Sequence, residues 1–204
     1  VFSPAIATAP VDGNYSCATG VKDGAAPQFT ITGGSVVAFS GASCSGAVVI
    51  PDGLTSIGDE AFKTGAAMTS VYIPASVTYI GGGAFDGSGI RTVTFAPNSQ
   101  MTSIGNYAFM NAGSLSSISI PDSVTRIGGA AFMYTNSLTS FQIPDSVTSI
   151  GSVAFHRGGL TSINIPANVT DIETQAFWDS RSLTTVTFAP GSMLTTIGPE
   201  AFKE

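Results

Sequence analysis

Hydrophobic and small residues recur along most of the chain with a period of about 23 residues. Seven prolines mark this period, in steps of 23, 23, 24, 23, 22 and 24 residues: Pro51, Pro74, Pro97, Pro121, Pro144, Pro166 and Pro190. An Ala-Phe pair follows each proline, and an isoleucine precedes each of its phenylalanines by five residues: Phe62, Phe85, Phe109, Phe132, Phe155, Phe177 and Phe202. Such internal repetition predicts stacked structural units that share one core.

Within one unit the pattern predicts a short strand that ends at a proline. In LSSISIP, Ile118 and Ile120 alternate with serines, which is typical of a half-buried strand. Pro121 has no N–H to donate to a sheet, so the strand ends there. The unit therefore starts with one strand face that is buried and one that is open to solvent.

The rest of the unit predicts a second extended segment and a compact turn. In SVTRIG, Val124 and Ile127 point inward, and Gly128 permits a tight turn. Ala131 and Phe132 follow in a predicted helical or 3₁₀ turn. No single unit can bury these side chains, so the coils must stack on one another.

The repeated pattern, roughly L-T-S-I-x-I-P-x-S-V-T-x-I-G-x-x-A-F, resembles the BspA-type (Treponema-type) leucine-rich repeats of bacterial surface proteins. The resemblance covers residues 45–204 and implies a leucine-rich-repeat solenoid, a β-rich arc of seven coils. Units containing Phe95 and Phe188 use an F-A-P variant with one extra residue. Two features depart from the family: Glu173 replaces the glycine after Ile172, and the usual cysteine after the phenylalanine is absent from every unit.

Residues 1–44 do not fit the repeat and predict an N-terminal β cap. FTITGG and VVAFSG read as two strands joined by a Gly-Gly turn, which would cover the sheet edge of the first coil. Cys17 and Cys44 both lie here. A disulfide between them would contribute roughly 3–4 kcal/mol and would favour an oxidising compartment, whereas two buried free thiols are the alternative.

The chain stops at AFKE, directly after the seventh Ala-Phe, so residues 45–204 are predicted to lack a C-terminal cap. Terminal repeats normally carry a polar capping unit. Two interpretations follow: the chain is part of a longer protein, or another subunit covers the last coil.

Composition excludes several classes of partner and chemistry. Seven Lys and Arg residues in a chain of net charge −6 cannot form the basic face that nucleic acids or anionic lipids require. The sequence has no run of about 18 apolar residues, so we expect no insertion into a membrane. The single histidine, His156, and the aspartates that follow prolines (Asp52, Asp122 and Asp145) predict packing and turns rather than catalysis. No metal-spaced or phosphate-binding motif occurs, so we expect no enzyme activity, cofactor or metal.

The two positions after each Ala-Phe pair predict the first candidate surface. Stacked coils place equivalent positions about 4.8 Å apart, which aligns residues from several units. We call this set the post-phenylalanine stripe: Met110, Met133, Tyr134, His156, Arg157 and Trp178. Methionine, aromatic residues and arginine are enriched in interface cores, so the stripe predicts a partner or self-association site. The alternative is that these side chains fold under the turn and extend the core.

The outward side of the first strand of each unit, which we call the strand face, is the second candidate, because resemblance to leucine-rich repeats implies a ligand surface there. Its outward positions are small and polar apart from Tyr72, which we expect to lie beside Arg91. A merely solvated sheet is the alternative. A third feature is a threonine column typical of ice-binding faces and also of ordinary strands: Thr55, Thr78, Thr102, Thr125, Thr148, Thr170 and Thr195.

Together these features predict a non-enzymatic adhesion or recognition module, secreted or on a cell surface, that binds a protein or surface ligand. The main alternative is a structural subunit that self-associates through its C-terminal repeat. Ice binding by the threonine column is a minor alternative.

Overall fold

The computed structural model describes residues 10–18, 20, 22, 28–40 and 44–204, without the side chains of residues 37–40. This part of the chain contains short strands joined by turns, and no helix. The strands are β1 Gly13–Ser16, β2 Gln28–Thr32, β3 Ser35–Ser40, β4 Gly46–Val49, β5 Ser56–Ile57, β6 Met68–Ile73, β7 Tyr79–Ile80, β8 Thr92–Phe95, β9 Ser103–Ile104, β10 Ser117–Ile118, β11 Arg126–Ile127, β12 Ser149–Ile150, β13 Ser162–Ile165, β14 Asp171–Ile172, β15 Thr185–Phe188 and β16 Thr196–Ile197.

Parallel pairing between strands of successive coils confirms the predicted solenoid of about seven coils. One sheet has the order β1-β2-β3-β5-β7-β9-β11-β12-β14-β16, and from β3 onward all its strands are parallel. The other, the strand face, has two parts, β10-β8-β6-β4 and β13-β15. Equivalent positions pair in register, for example Ile57 with Ile80 and Ile80 with Ile104. The 23-residue period therefore becomes a stack of equivalent coils.

A continuous ladder of phenylalanine rings fills the core. From Phe62 to Phe202, consecutive rings of the Ala-Phe pairs stack with centroids 5.0–5.4 Å apart and planes within 9° of parallel. All but the last of these phenylalanines are buried. Each ring before Phe202 stacks between rings of the coils or cap on both sides, so the core is shared as the repeat predicted.

The Ala-Phe segment is tighter than the predicted helical or 3₁₀ turn. In the first coil, Glu60 and Thr64 have left-handed φ angles of 55° and 58°, and their amides donate to Gly82 O (2.8 Å) and Asp86 O (2.7 Å) of the next coil. The same two positions have positive φ in the following coils. Because these amides bond to the neighbouring coil, the segment is a series of single turns and no helix continues through it.

The glycine after each buried isoleucine allows a close approach between coils. A Cβ at Gly105 or Gly128 would lie 2.7 Å from backbone atoms of the preceding coil. Glu173, the predicted departure, uses its side chain differently: its Oε2 accepts hydrogen bonds from the Ser152 amide and hydroxyl, both at 2.9 Å. Asn106 Oδ1 binds the Gly129 amide in a similar way at 2.8 Å. The substitution thus adds a contact between coils.

The N-terminal segment covers the first coil. Strands β2 and β3 form an antiparallel hairpin through Gly33 and Gly34, and β3 pairs in parallel with β5. Phe29 lies edge-on to Phe62, with ring centroids 5.8 Å apart. The predicted disulfide between Cys17 and Cys44 is present, with Cα atoms 5.6 Å apart. The hairpin therefore extends the sheet of the solenoid at this end.

Candidate binding surface

The inter-coil hydrogen bonds bring the post-phenylalanine stripe together. The amide of Asn111 donates to Met133 O at 2.9 Å, that of Tyr134 to His156 O at 3.0 Å, and that of Arg157 to Trp178 O at 3.0 Å. These bonds place the second position after each phenylalanine against the first position in the next coil. The side chains of the stripe consequently occupy two adjacent columns on neighbouring turns.

The rings of the stripe form a connected network. The imidazole of His156 stacks on Trp178 with centroids 4.7 Å apart, and Tyr134 meets it edge-on at 5.4 Å. The guanidinium carbon of Arg157 lies 5.9 Å from the Tyr134 ring centroid, within cation–π range. His156 Nδ1 lies 2.8 Å from the Trp178 carbonyl oxygen. These contacts connect four side chains of the stripe to one another.

Burial differs along the stripe. His156 is only 3% exposed and extends the packed interior. Met110, Met133, Tyr134 and Trp178 are half-buried, and thus each presents part of its side chain to solvent. Met110 also lines a surface cavity of about 500 Å³ whose other walls include Glu60, Lys63, Asp86 and Tyr107.

Asp179 connects the stripe to a second arginine. Its Oδ2 accepts from Arg157 Nε and its Oδ1 from Arg181 Nε, both at 2.6 Å. The hydrogen bond from Arg181, followed by that from Arg157, lowers the pKa of the Asp179 carboxyl. Asp179 in turn raises the pKa of Arg157. Sequence reasoning missed Asp179 and Arg181, although Arg157 and Asp179 occupy the same column in adjacent units, a signal that could have found this ion pair.

The two residues predicted to lie together on the strand face are on neighbouring coils. Tyr72 is 40% exposed and pairs with Val49 and Thr94 on either side. The Arg91 amide instead bonds to Thr69 O at 2.8 Å, three residues before Tyr72. Arg91 and Tyr72 thus occupy non-equivalent positions on neighbouring coils, and contact between their side chains stays a prediction.

The strand face divides where one coil carries an aromatic residue. Residues 139–143 belong to neither part of this sheet. Phe141, at their centre, is buried between Phe132 and Phe155 with centroid distances of 5.0 and 5.1 Å. A cavity of about 500 Å³ opens at the division and is lined largely by serines and other small polar side chains. Its polar lining consists mainly of outward positions of the strand face, such as Ser119, Gln142 and Asn164.

The hydroxyls of the threonine column form hydrogen bonds between coils. Each of the seven hydroxyls donates to a carbonyl of the preceding coil at 3.0–3.3 Å. The same carbonyls accept the threonine amides. A hydroxyl whose proton is held in this ladder has a structural role, which gives the ice-binding interpretation no support.

No group of three or more histidine, cysteine, aspartate or glutamate side chains in the part of the chain that the structure describes could hold a metal ion. Nor does this part contain a helix with the length and apolar character needed to cross a membrane.

Comparison with known proteins identifies the repeat. Residues 35–155 and 102–204 match the family model for the BspA type leucine-rich repeat region, in six copies. A leucine-rich repeat protein of T. pallidum is 31% identical, with a TM-score of 0.69 over 75% of this chain and 73% of its own. A leucine-rich cell surface protein of Faecalibacterium prausnitzii A2-165 is also 31% identical, with a TM-score of 0.59 over 81% of this chain.

A leucine-rich repeat protein of Bacteroides ovatus shares the fold, with 24% identity and a TM-score of 0.59 over 83% of this chain. The chain spans about half the length of the F. prausnitzii and B. ovatus proteins, 53% and 52% respectively. Comparison with the curated proteins finds no match. The family model covers well over half of the chain, and the two relatives at 31% identity share its coil geometry. The chain therefore belongs to the BspA-type leucine-rich repeat family.

Proposed function

We propose that the protein is a non-enzymatic recognition module displayed outside the cell, and that it contacts a protein or surface ligand through the post-phenylalanine stripe. Membership of the BspA-type family supports the general part of this proposal, because leucine-rich repeats generally serve as protein-binding scaffolds. Two further observations support an extracellular location. The Cys17–Cys44 disulfide suits an oxidising compartment, and the F. prausnitzii relative is described as a cell surface protein.

The ring network of the stripe is the observation that carries the assignment of the surface. Tyr134, Arg157 and Trp178 are the residue types that dominate binding hot spots. Their mutual contacts hold them in place before any partner arrives. Binding to such a surface costs less conformational entropy than ordering free side chains. The strand face offers instead serine, threonine and one isolated Tyr72.

A paired-variant binding experiment tests the assignment. The unmodified protein would be immobilised and used to capture its partner from native surroundings. A Met133→Ala, Trp178→Ala double variant and a Thr94→Ala, Ser119→Ala control on the strand face would be compared with it. We expect the stripe variant to lose bound partner by tenfold or more, about 1.4 kcal/mol, while the control retains it. Thermal melting would verify that both variants fold.

The opposite result would overturn the proposal. If the stripe variant bound the same partner with unchanged affinity and had an unchanged oligomeric state, the stripe would have no recognition role. Loss of binding in the strand-face control alone would transfer the function to the strand face.

A further inference from the structure

A second feature beside the stripe is a cavity of about 450 Å³ between the turns that follow Phe155 and Phe177. Arg157 and Arg181 form its charged walls together with Asp179, and Gly158 and Gly159 contribute backbone. A Cβ at Gly159 would lie 2.0 Å from the Asn136 carbonyl oxygen, so only glycine fits between the coils at this position. The side chains of Arg157 and Arg181 are exposed to solvent.

Asp179 orients both arginines. Its side chain is 9% exposed, whereas the side chains of Arg157 and Arg181 are 51% and 80% exposed. Each guanidinium donates its Nε–H to a different oxygen of the carboxylate. A guanidinium has five N–H donors in a planar fork, so most donors on each arginine remain for other acceptors. A buried carboxylate thus holds two solvent-facing cationic forks side by side.

The local charge contrasts with that of the whole molecule. Two arginines and one aspartate give the cavity a charge of +1, while the chain carries a net charge of −6. An anionic group near this protein would therefore be repelled over much of the surface and attracted at the cavity. Arginine forks bind carboxylate, phosphate and sulfate oxygens through paired, charge-assisted hydrogen bonds.

We propose that this cavity binds an oxyanion of the partner, a carboxylate or a phosphate or sulfate ester, between Arg157 and Arg181. The proposal rests on the proposed function for its placement beside the recognition surface, and it adds the chemistry of the group recognised there. The aromatic stripe supplies apolar contacts and the arginine pair supplies the charged contact. A partner segment with an acidic group next to an apolar side chain fits both.

The single tryptophan makes the proposal testable without knowledge of the partner. Trp178 precedes Asp179 directly, so its fluorescence reports on this region. The full chain would be titrated with sodium sulfate, sodium phosphate and N-acetylglutamate at ionic strength kept constant with sodium chloride. Shifts of the Gly158 and Gly159 amide resonances would provide a second readout. The oxyanion that saturates at the lowest concentration identifies the preferred chemistry.

We expect a saturable response that Arg181→Met weakens about tenfold or more, the factor expected for one lost charge-assisted hydrogen bond. Arg126→Met, at an exposed arginine on β11, is the matched control and should change nothing. No saturable response in either readout up to about 50 mM, where a site of millimolar affinity is filled, would overturn the proposal. An Arg181→Met variant with unchanged affinity would overturn it as well.

The two proposals fail separately. If oxyanions do not bind but the Met133→Ala, Trp178→Ala variant loses its partner, the recognition surface stands and the oxyanion site falls. If oxyanions bind and that variant keeps its partner, the oxyanion site stands alone.

Discussion

The phenylalanine ladder offers a sharp test of how the solenoid is held together. Phe132 lies near the middle of the ladder and is fully buried. Its ring contacts Phe109 at 5.3 Å, Phe155 at 5.4 Å and Phe141 at 5.0 Å. Replacing it with alanine would remove one ring from each of three aromatic pairs and leave a cavity between coils that hydrogen bonds hold in register.

The expected loss follows from these contacts. Truncation of a buried phenylalanine to alanine costs about 3–5 kcal/mol, and three ring neighbours place Phe132→Ala near the upper end of that range. In a chain of this size each kcal/mol lowers Tm by about 2–4 °C, so the melting temperature should fall by roughly 10–20 °C. Phe202 is the matched control, because it is half-buried and its ring stacks on Phe177 alone in that ladder. Phe202→Ala should lose less than half as much.

Thermal melting by circular dichroism, supported by urea unfolding, would measure both variants. Repeat proteins derive stability from contacts between adjacent units, so an inner coil should matter more than an outer one. Equal losses at Phe132 and Phe202, or a loss below about 1 kcal/mol at Phe132, would refute the ladder as a main source of stability.

Three further predictions follow from the contacts between coils. Asp179→Asn should destabilise the protein at neutral pH, and the loss should shrink as pH falls below 3.8, because a carboxyl with a lowered pKa contributes stability that is lost as pH falls through its folded pKa. Urea unfolding at pH 7 and at a series of values below 3.8 would measure this, and a loss independent of pH would contradict it. Gly128→Ala should lower the free energy of unfolding by about 1–3 kcal/mol, because the added Cβ would lie 2.7 Å from backbone atoms of the preceding coil. Gly129→Ala should cost less, since its Cβ would lie 3.3 Å from the nearest backbone atom, and equal melting temperatures of the two variants would contradict this. Replacing Cys17 and Cys44 together by serine should remove roughly 3–4 kcal/mol, and an unchanged melting temperature would be inconsistent with that role.

The coil register and the core could be predicted from the sequence, because burial imposes a strict period. A slip of one residue would turn Ile57 and its equivalents to solvent, so the isoleucine and phenylalanine spacing had to match the ladder. The turns could not be predicted in the same way. Asn111 and Asp179 tolerate left-handed φ, but Tyr134 and Val153 adopt it without any local preference. Hydrogen bonds to the next coil impose this conformation, and a single repeat does not reveal them.

For the candidate surface, too, the sequence predicted which residues are neighbours but not every contact between them. Stacking of equivalent positions predicted that His156 and Trp178 would be neighbours, and their rings are in contact. The burial of His156 depends on how far the turn folds over its side chains, which spacing does not determine. Arg181 lies two residues beyond the aligned columns, so its bond to Asp179 follows only from side-chain reach.

Site-specific photo-crosslinking would show which surface of the protein touches its partner. A photoreactive phenylalanine analogue would replace Met133 in the stripe or, for comparison, Thr94 on the strand face, in protein displayed in its native surroundings. We expect a discrete crosslinked partner from position 133 and none from position 94. A partner captured from position 94 alone would contradict the assignment of recognition to the post-phenylalanine stripe.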